Sequence, residues 1–424
     1  MASVTEDLEL IGKRARAAAR KMAFLSTLVK NRALENIALS LKERQGEILA
    51  ANGKDIAEGK QAGLSEAMLD RLLLNSERLA GMAADVRAVA ALPDPVGRIY
   101  DMRTLPNGLQ VGRKRVPLGV VATIYESRPN VTVDIASLCL KSGNAVILRG
   151  GKEAQNSNLA LSRVVQQAAV SAGVPEGAVQ SIEDQDRAVV GHLLKMRDYI
   201  DLLVPRGGAG LIKFVSENAA MPVVAGGIGV CHLYVDASAR SDMAASIAYN
   251  AKVQRPTVCN AMDSLLVHSS AAGSCLPAVG REWAKAGVEV HADERALPVL
   301  RSVPGLKAVA ATQDDWGKEF LALVAAVKVV DSLDDALEHI ARYGSGHTEA
   351  IITDDYASAQ RFLNEVDAAA VFVNASTRFT DGGQFGLGAE VGISTGRLHA
   401  RGPMGLEEMT TYKWIGLGTG QVRG

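Results

Sequence analysis

The chain has 424 residues, of which 48% are apolar and 22% charged, and its formal net charge is −1. This length predicts two or three domains, and the charge balance excludes a general attraction to nucleic acid or to an acidic membrane surface. The aromatic content of 4% disfavours base-stacking platforms, whereas 41 glycines suit helices packed closely on sheets, as in α/β enzymes.

The cysteines are far apart in the sequence, at Cys139, Cys231, Cys259 and Cys275. They form no C-x-x-C pair and no Cys/His zinc pattern, so we expect neither a disulfide framework nor a metal site. The chain also lacks a signal-peptide core and any run of about 18 apolar residues. We therefore expect a cytoplasmic protein with no membrane or nucleic-acid partner.

The first part of the chain predicts a helical scaffold followed by a β-hairpin. Apolar residues recur with helical spacing over residues 6–91, and Ser65 is the predicted N-cap of one helix. Residues 98–115 have two strand-like arms around the turn at 106–108. Such a hairpin either meets another subunit or forms a surface flap.

Strands and helices alternate from there onward, which predicts parallel sheets with right-handed crossovers. The predicted strands are 119–125, 145–148, 178–182 and 200–204, with helices over 131–141, 153–172 and 186–196 between them. Two strands are expected within 221–235. A second series predicts strands near 264–267, 288–291, 308–310, 327–330, 350–352 and 370–374, with a helix over 332–343 among its helices.

Two loops at predicted strand ends are candidates for cofactor binding. Arg149 and Lys152 follow one buried strand, and Arg206, Gly207 and Gly208 form a glycine-rich turn that opens a helix after another. Backbone amides at a helix start bind phosphate well, although the same turn also suits tight helix-on-strand packing. The two cations of the first loop suit a 2′-phosphate, which favours NADP(H) over NAD.

A glycine cluster around Gly227 separates the two strands expected in 221–235. It marks either a close backbone approach to a ligand or a tight crossing of chains. The segment 225–229 contains no carboxylate.

Cys259 stands in the stretch 253–261, between an amphipathic run at 241–252 and a predicted strand. A cysteine in such a connection is either a substrate-facing nucleophile or a small buried hydrophobe. Near the C-terminus, Arg378 with Ser376 and Thr377 follows a strand end. That group either holds an anion or belongs to ordinary loops.

Several motifs, in order, resemble the aldehyde dehydrogenase superfamily, and within it the members that reduce the acyl phosphate of glutamate. They are residues 116–130, 142–149, 330–351 with His347, 371–374 and 385–386. The resemblance covers nearly the whole chain. It implies an α/β fold with two doubly wound parallel-sheet domains and a small β oligomerisation element.

The resemblance also implies domain boundaries and a homo-oligomer. Residues 1–104 and 116–235 would form the cofactor domain, 236–370 the catalytic domain, and 105–115 with 371–424 the oligomerisation element. A functional link to a glutamate kinase, which would deliver the labile acyl phosphate, is a further implication.

Roles carry over to matching residues. Cys259 falls at the nucleophile, Arg149 at a cation that contacts the cofactor ribose, residues 206–210 at the phosphate-facing loop and Glu319 at a carboxylate on the nicotinamide-side ribose. Asn130 matches the oxyanion amide, with Arg128 as a competitor for that role.

The implied reaction is NADPH-dependent reduction of L-glutamyl 5-phosphate to L-glutamate 5-semialdehyde and phosphate through a Cys259 thioester, in proline biosynthesis. Superfamily members that release free acids carry a glutamate in the segment matching 225–229, where this chain has none, and that absence suits a reductase. The backbone N–H of Cys259 and Asn130 are the proposed oxyanion donors.

For the substrate we expect Asn374, Ser376, Thr377 and Arg378 at the phosphate. His347 either orients the substrate or satisfies a buried turn. The alternatives are a non-phosphorylating aldehyde dehydrogenase and a non-catalytic binding or scaffold protein of the same fold.

Overall fold

The computed structural model describes residues 2–224, 226 and 228–423. The helices are α1 Ala2–Met22, α2 Thr27–Glu43, α3 Gln45–Gln61, α4 Glu66–Leu72, α5 Ser76–Ala91, α6 Asn130–Lys141, α7 Gln155–Ser171, α8 Arg187–Leu193, α9 Ala209–Asn218, α10 Ser241–Val253, α11 Ser269–Ala286, α12 Leu297–Arg301, α13 Leu333–Tyr343 and α14 Tyr356–Glu365. The strands are β1 Ile99–Thr104, β2 Gln110–Pro117, β3 Val120–Tyr125, β4 Ala145–Gly150, β5 Val179–Ser181, β6 Leu202–Arg206, β7 Cys231–Val235, β8 Met262–His268, β9 Glu289–Ala292, β10 Lys307–Ala310, β11 Val324–Val330, β12 Thr348–Ile352, β13 Ala370–Val373, β14 Ile393–Ser394, β15 Gly402–Pro403 and β16 Thr410–Leu417.

The chain divides into two compact units. Unit 1 comprises Met1–Gly226, Gly386–Gly392 and Pro403–Gly424, and unit 2 comprises Gly227–Phe385 and Ile393–Gly402. The division follows Gly226 rather than Val235 because β7 pairs with β8 and β12, so it belongs to the sheet of unit 2. The segment predicted as one oligomerisation element, 371–424, is shared between the two units.

The predicted helical scaffold forms α1 to α5 of unit 1. The side chain of Ser65 caps α4 by accepting a hydrogen bond from the N–H of Met68, as the sequence predicts. Ser26 and Asn75 cap α2 and α5 in the same way, so local sequence sets where these helices begin.

The core of unit 1 is a four-stranded parallel sheet with the order β5-β4-β3-β6. Every residue of β3 and β4 is buried, as expected for central strands of a parallel sheet with helices on both faces. On one face, Leu8 and Ala15 of α1 and Leu193 of α8 pack with Val120 and Ala122 of β3.

The predicted hairpin is β1 paired antiparallel with β2. β16 adds to the other side of β2, so the three strands form a separate antiparallel sheet with the order β1-β2-β16. Arg113 lies between the rings of Tyr412 and Trp414, at 4.7 and 4.9 Å from their centroids, which ties β16 to the hairpin.

Unit 2 contains a seven-stranded parallel sheet with the order β10-β9-β11-β8-β7-β12-β13. Successive side chains of a strand point to opposite faces. Leu233 and Leu265 accordingly pack with Trp283 of α11 on one face, while Tyr234 and Leu266 pack against α13 and α14 on the other.

The region 221–235 differs from its prediction of two strands. Among its described residues, the first part makes one bridge, Leu203 with Val223, and the strand found is Cys231–Val235. This strand joins the sheet of unit 2.

Candidate functional site

Exposure separates Cys259 from the other three cysteines. Cys139, Cys231 and Cys275 have no exposed surface, whereas Cys259 is partly exposed. Burial raises the pKa of each of the three buried thiols. Since a thiolate is the reactive form of cysteine, these three are kept inert and Cys259 is the candidate nucleophile.

Cys259 lies on a tight turn between α10 and β8, in the connection that the sequence predicts. The turn spans Val258 to Ala261, and the N–H of Ala261 donates to the carbonyl of Val258 at 3.0 Å. Such a turn presents the side chain of its second residue on a short, constrained loop.

Gly229 packs directly against the peptide of Cys259. A Cβ atom added to Gly229 would lie 1.8 Å from the carbonyl oxygen of Cys259, so no other residue fits. The N–H of Gly229 donates to Oε1 of Glu319 at 3.1 Å, and burial raises the pKa of that carboxyl group. The glycine cluster therefore includes a close backbone approach, although Gly227 itself lies outside the described residues.

A buried polar network runs beneath the turn. The thiol of Cys231 lies 3.2 Å from the carbonyl oxygen of Cys259 and 3.9 Å from Nδ1 of His347. Nδ1 of His347 lies 2.8 Å from Oγ1 of Thr348, which donates to Oγ1 of Thr380. Burial lowers the pKa of His347 to about 4, so its imidazole is neutral at neutral pH.

The loop at Ser376 to Arg378 supports the same turn. The hydroxyl of Thr377 donates to the carbonyl of Asn260 at 2.7 Å, and the hydroxyl of Ser376 accepts from the N–H of Arg378. Ser376 and Thr377 are buried, so both hydroxyls hold the loop in place. The guanidinium of Arg378 is the charged group that this loop presents.

The pKa of Arg378 depends on its burial and on several neighbouring charges. Burial is the largest of the causes that lower the pKa of Arg378, and the nearby guanidinium of Arg255 lowers it further. The carboxylate of Asp381 and the thiolate form of Cys259 act in the opposite direction. The loop that carries Arg378 bonds to the Cys259 turn through Thr377 and Asn260, so its guanidinium is a candidate cation for the nucleophile.

Lys252, a second cation close to Cys259 in the sequence, already has a partner of its own. Its side chain is buried and its amine forms a salt bridge with Asp263 at 3.1 Å. The same carboxylate accepts the N–H of Phe320 at 3.2 Å.

Asn374 follows β13 and bonds to Thr353, which follows the neighbouring strand β12. Its amide group exchanges two hydrogen bonds of 2.9 Å with the backbone of Thr353, and its φ angle is 55°. Asparagine tolerates this left-handed conformation. Its two hydrogen bonds connect the carboxyl ends of β12 and β13.

In unit 1, the predicted cofactor loops lie at the carboxyl edge of the sheet. Arg149 is almost buried at the end of β4, where one of its terminal nitrogens donates to the carbonyl of Gln185 at 3.2 Å. Its Nε has no partner among the described residues, and burial lowers the pKa of the guanidinium. Lys152 beside it is exposed.

The glycine-rich turn after β6 already holds a carboxylate. The N–H of Gly208 donates to Oε2 of Glu126 at 3.0 Å, and a Cβ on Gly207 would lie 2.5 Å from the same oxygen. Arg206 at the end of β6 packs against Gly392. The amide expected to face a phosphate is therefore bound by Glu126, a residue that no sequence pattern singles out.

Arg128 and Asn130 stand on the segment that follows β3. Ser127 has a φ of 46°, and both its N–H and its hydroxyl donate to Oε1 of Glu153, at 2.7 and 2.8 Å. Asn130 begins α6 and its amide donates to Asp134 at 2.8 Å. Arg128 is exposed, so it extends from a loop that Glu153 holds.

Neither a metal-ion cluster nor a membrane-spanning helix is found among the described residues. Across residues 2–224, 226 and 228–423, no three or more His, Cys, Asp or Glu side chains are arranged to hold a metal ion. Over the same residues, no helix has both the length and the apolar surface needed to span a membrane.

Sequence reasoning missed Cys231 and Glu126 as parts of these sites. Cys231 follows a glycine cluster and begins a strand, which is the one signal available for it.

Known proteins match this chain over its full length. The aldehyde dehydrogenase family matches residues 1–297 and 306–415. Gamma-glutamyl phosphate reductase of Dehalococcoides mccartyi (strain CBDB1) is 65% identical over 418 residues, which cover 99% of each chain. The protein of the same name from Escherichia coli O7:K1 (strain IAI39 / ExPEC) is 56% identical over 416 residues, 98% of this chain and 100% of that one.

A solved structure agrees. The crystal structure of gamma-glutamyl phosphate reductase from Thermotoga maritima is similar with a TM-score of 0.95 and 47% identity, covering 98% of this chain and 100% of that chain. The chain therefore belongs to the aldehyde dehydrogenase family.

Proposed function

We propose that this protein reduces L-glutamyl 5-phosphate to L-glutamate 5-semialdehyde and phosphate, the step of proline biosynthesis that follows phosphorylation of glutamate. The observation that carries the proposal is the accessible Cys259 on a turn to which the loop of Thr377 and Arg378 is hydrogen-bonded. Relatives named for this reaction share more than half of the residues along the whole chain.

The first half of the reaction exchanges phosphate for sulfur. The thiolate of Cys259 attacks the acyl carbon, a C–S bond forms, and the C–O bond to phosphate breaks. Arg378 and the exposed Arg255 offer positive charge for the departing phosphate, and a guanidinium can bind it through two parallel hydrogen bonds. The product of this half is a thioester on Cys259.

The second half releases the aldehyde. A nicotinamide cofactor, when bound, supplies hydride for the thioester carbon. The resulting tetrahedral oxyanion needs fixed donors, for which we propose the N–H of Cys259 and the amide of Asn130, with Arg128 as the alternative to Asn130. Collapse of this species breaks the C–S bond and returns the thiolate of Cys259.

The absence of a carboxylate from residues 225–229 supports a phosphorylating rather than a hydrolytic enzyme. A base beside the thioester would activate water and waste the intermediate. In the reverse direction, phosphate is already an anion and attacks without a base.

We infer NADP(H) as the cofactor. Arg149 fits this inference because its Nε lacks a partner in a nearly buried position, as expected of a donor awaiting an anion. Lys152 adds a second cation. The carboxylate of Glu126 accepts the N–H of Gly208, so it must move away before a phosphate can bind that N–H. Glu319 is proposed at the nicotinamide-side ribose.

The wider assignments are also proposals. The sheet of β1, β2 and β16 leaves Ile99, Trp414 and Leu417 largely exposed, which supports a homo-oligomeric contact there. Light scattering on the native protein and on Trp414→Lys tests it. A cytoplasmic location and a functional link to a glutamate kinase fit the instability of the acyl phosphate.

The decisive experiment is reduction of NADP+ with glutamate 5-semialdehyde, with and without inorganic phosphate. We expect phosphate-dependent activity that Cys259→Ala abolishes and Cys275→Ala retains. Activity without phosphate would indicate a hydrolytic aldehyde dehydrogenase instead. Absence of activity in the folded native protein, together with inert Cys259, would favour a binding or scaffold role.

Asn130→Ala and Arg128→Gln separate the two oxyanion candidates. Loss of one such donor typically costs about 3 kcal/mol in the barrier, so kcat should fall by about 100-fold in the variant that removes it. Undiminished turnover in Asn130→Ala would exclude Asn130.

A further inference from the structure

The turn that carries Cys259 does not by itself determine the orientation of its central peptide. In a four-residue turn, the peptide between the second and third residues has two orientations, and one of them requires a positive φ at the third residue. The third residue here is Asn260, a type that tolerates positive φ at little cost. In the structure Asn260 does not adopt positive φ, and a contact to the Cys259 carbonyl would hold the central peptide in this orientation.

Cys231 is the group in position to do so. Its thiol has no exposed surface and lies at the start of β7, 3.2 Å from the carbonyl oxygen of Cys259. That carbonyl belongs to the central peptide of the turn. Gly229, two residues earlier in the same segment, packs against the same peptide from its Cα.

The surrounding network directs the thiol proton toward that carbonyl. Oγ1 of Thr348 donates to Thr380, so its contact with Nδ1 of His347 at 2.8 Å requires Nδ1 to carry a proton. Nδ1 is therefore a donor and does not compete for the proton of Cys231. Burial raises the pKa of the Cys231 thiol, which keeps the S–H donor in place.

We propose that Cys231 is a positioning residue, whose thiol donates to the carbonyl of Cys259 and holds the central peptide of the nucleophile turn in its reactive orientation. The inference rests on the proposed function, in which Cys259 is the nucleophile. A flip of this peptide would turn the Cys259 carbonyl away and direct the N–H of Asn260 toward the buried thiol. The dipole next to the reacting sulfur would then be reversed.

The test compares substitutions that remove the donor with one that keeps it. Cys231→Ala removes the thiol, Cys231→Val removes it while filling the space, and Cys231→Ser retains a donor. Cys275→Ala is the matched control, because Cys275 is also fully buried in unit 2 but lies in α11, with Ser274 and the carbonyl of Ala239 as its contacts. Each variant is assayed with saturating cofactor, and kcat is normalised to titrated Cys259.

We expect kcat per reactive Cys259 to fall about fivefold in Cys231→Ala and Cys231→Val, equivalent to about 1 kcal/mol, with the KM for glutamate 5-semialdehyde within about twofold. Cys231→Ser and Cys275→Ala should stay within about twofold of the native protein. The rate constant for alkylation of Cys259 by iodoacetamide, followed on its own peptide by mass spectrometry, should change by a similar factor in the same two variants.

A purely structural role predicts a different result. In that case the donor-free variants would lose thermal stability, but kcat and the alkylation rate per reactive Cys259 would be unchanged, and the proposal would be overturned. Alkylation does not depend on the identity of the substrate. If the proposed reaction is not observed but the donor-free Cys231 variants still change the alkylation rate, the positioning role is retained. If the reaction is observed but the alkylation rate is unchanged in those variants, the positioning role is rejected.

Discussion

Unit 1 gathers its candidate ligand-binding residues at the carboxyl edge of a parallel sheet, whereas unit 2 carries Cys259 at the amino edge of one. Glu126 and Gly207 follow β3 and β6, and Arg149 is next to last in β4. Cys259 and Gly229 precede β8 and β7. The candidate residues of the first unit fit the rule that open parallel sheets bind ligands beyond their carboxyl ends, whereas Cys259 does not.

The difference has a physical consequence for the thiolate. At a carboxyl edge the chain leads into helix N-termini, whose free amides favour anions. Cys259 instead follows the C-terminus of α10, which offers no such amides. A cation from elsewhere in the fold would favour the thiolate at an amino edge, and Arg378, on the loop that bonds to this turn through Thr377, is the candidate.

The strongest way to break the amino-edge site is Gly229→Ala. The added methyl group would overlap the carbonyl of Cys259 and force the turn to move, so we expect kcat to fall at least about 100-fold. Gly273→Ala, in α11 with open space around its Cα, is the control and should keep full activity. Retained activity in Gly229→Ala would show that the turn adapts.

Acid should sharpen the contrast between the units through their buried titratable groups. Burial lowers the pKa of His347 to about 4, so an unfolded chain, with an ordinary value near 6.5, binds more protons than the fold between these two pH values. The free energy of unfolding of unit 2 should therefore fall by about 3 kcal/mol from this group as the pH drops from about 7 to 4. His339, with its pKa lowered to about 3, adds in the same direction.

Carboxyl groups with the opposite sign occur in both units, because burial raises the pKa of Asp263, Glu319 and Glu349 in unit 2 and of Asp134 in unit 1. Burial raises the pKa of Asp134 to about 7, so the fold binds the extra proton and its stability rises as the pH falls from 7 toward 4. Hydrogen exchange of the native protein and of His347→Asn at pH 7 and pH 5 should show that the substitution reduces the loss of protection in β7, β8 and β12 at the lower pH. An equal loss in both proteins would contradict the contribution of His347.

The cation at the amino edge is tested by Arg378→Gln. Loss of a charge-assisted hydrogen bond costs about 2 kcal/mol, so the KM for phosphate should rise about 30-fold in the oxidative direction. Arg255→Gln should give a smaller increase because its side chain is exposed. Arg301→Gln, an exposed arginine in α12, is the control, and an unchanged KM in Arg378→Gln would remove Arg378 from the phosphate site.

The carboxyl edge of unit 1 is tested by Arg149→Gln. We expect the KM for NADP+ to rise about tenfold with little change for NAD+, since the charge would serve only the 2′-phosphate. Arg197→Gln, on the surface of unit 1, is the matched control. Equal effects on both cofactors would assign Arg149 to the ribose alone.

Much of the fold followed from local patterns. The predicted strand and helix series appears in the structure within a few residues, and Ser65 caps its helix, because alternation, helical spacing and capping act over short distances. Of the two strands predicted between residues 221 and 235, the second forms as β7, whereas the described residues of the first make one bridge. Glu126 and Cys231 escaped notice because their contacts are with residues far away in the chain.

The sequence by itself determined that this chain is an α/β protein, that Cys259 stands in a connection, and that basic, glycine-rich loops follow the strands of unit 1. These features depend on the order of neighbouring residues. Only the tertiary structure decided which thiol is accessible, that Gly229 and Cys231 contact the Cys259 peptide, and that Glu126 holds the amide of Gly208. Burial and long-range hydrogen bonds arise when distant segments pack together, so spacing along the chain cannot specify them.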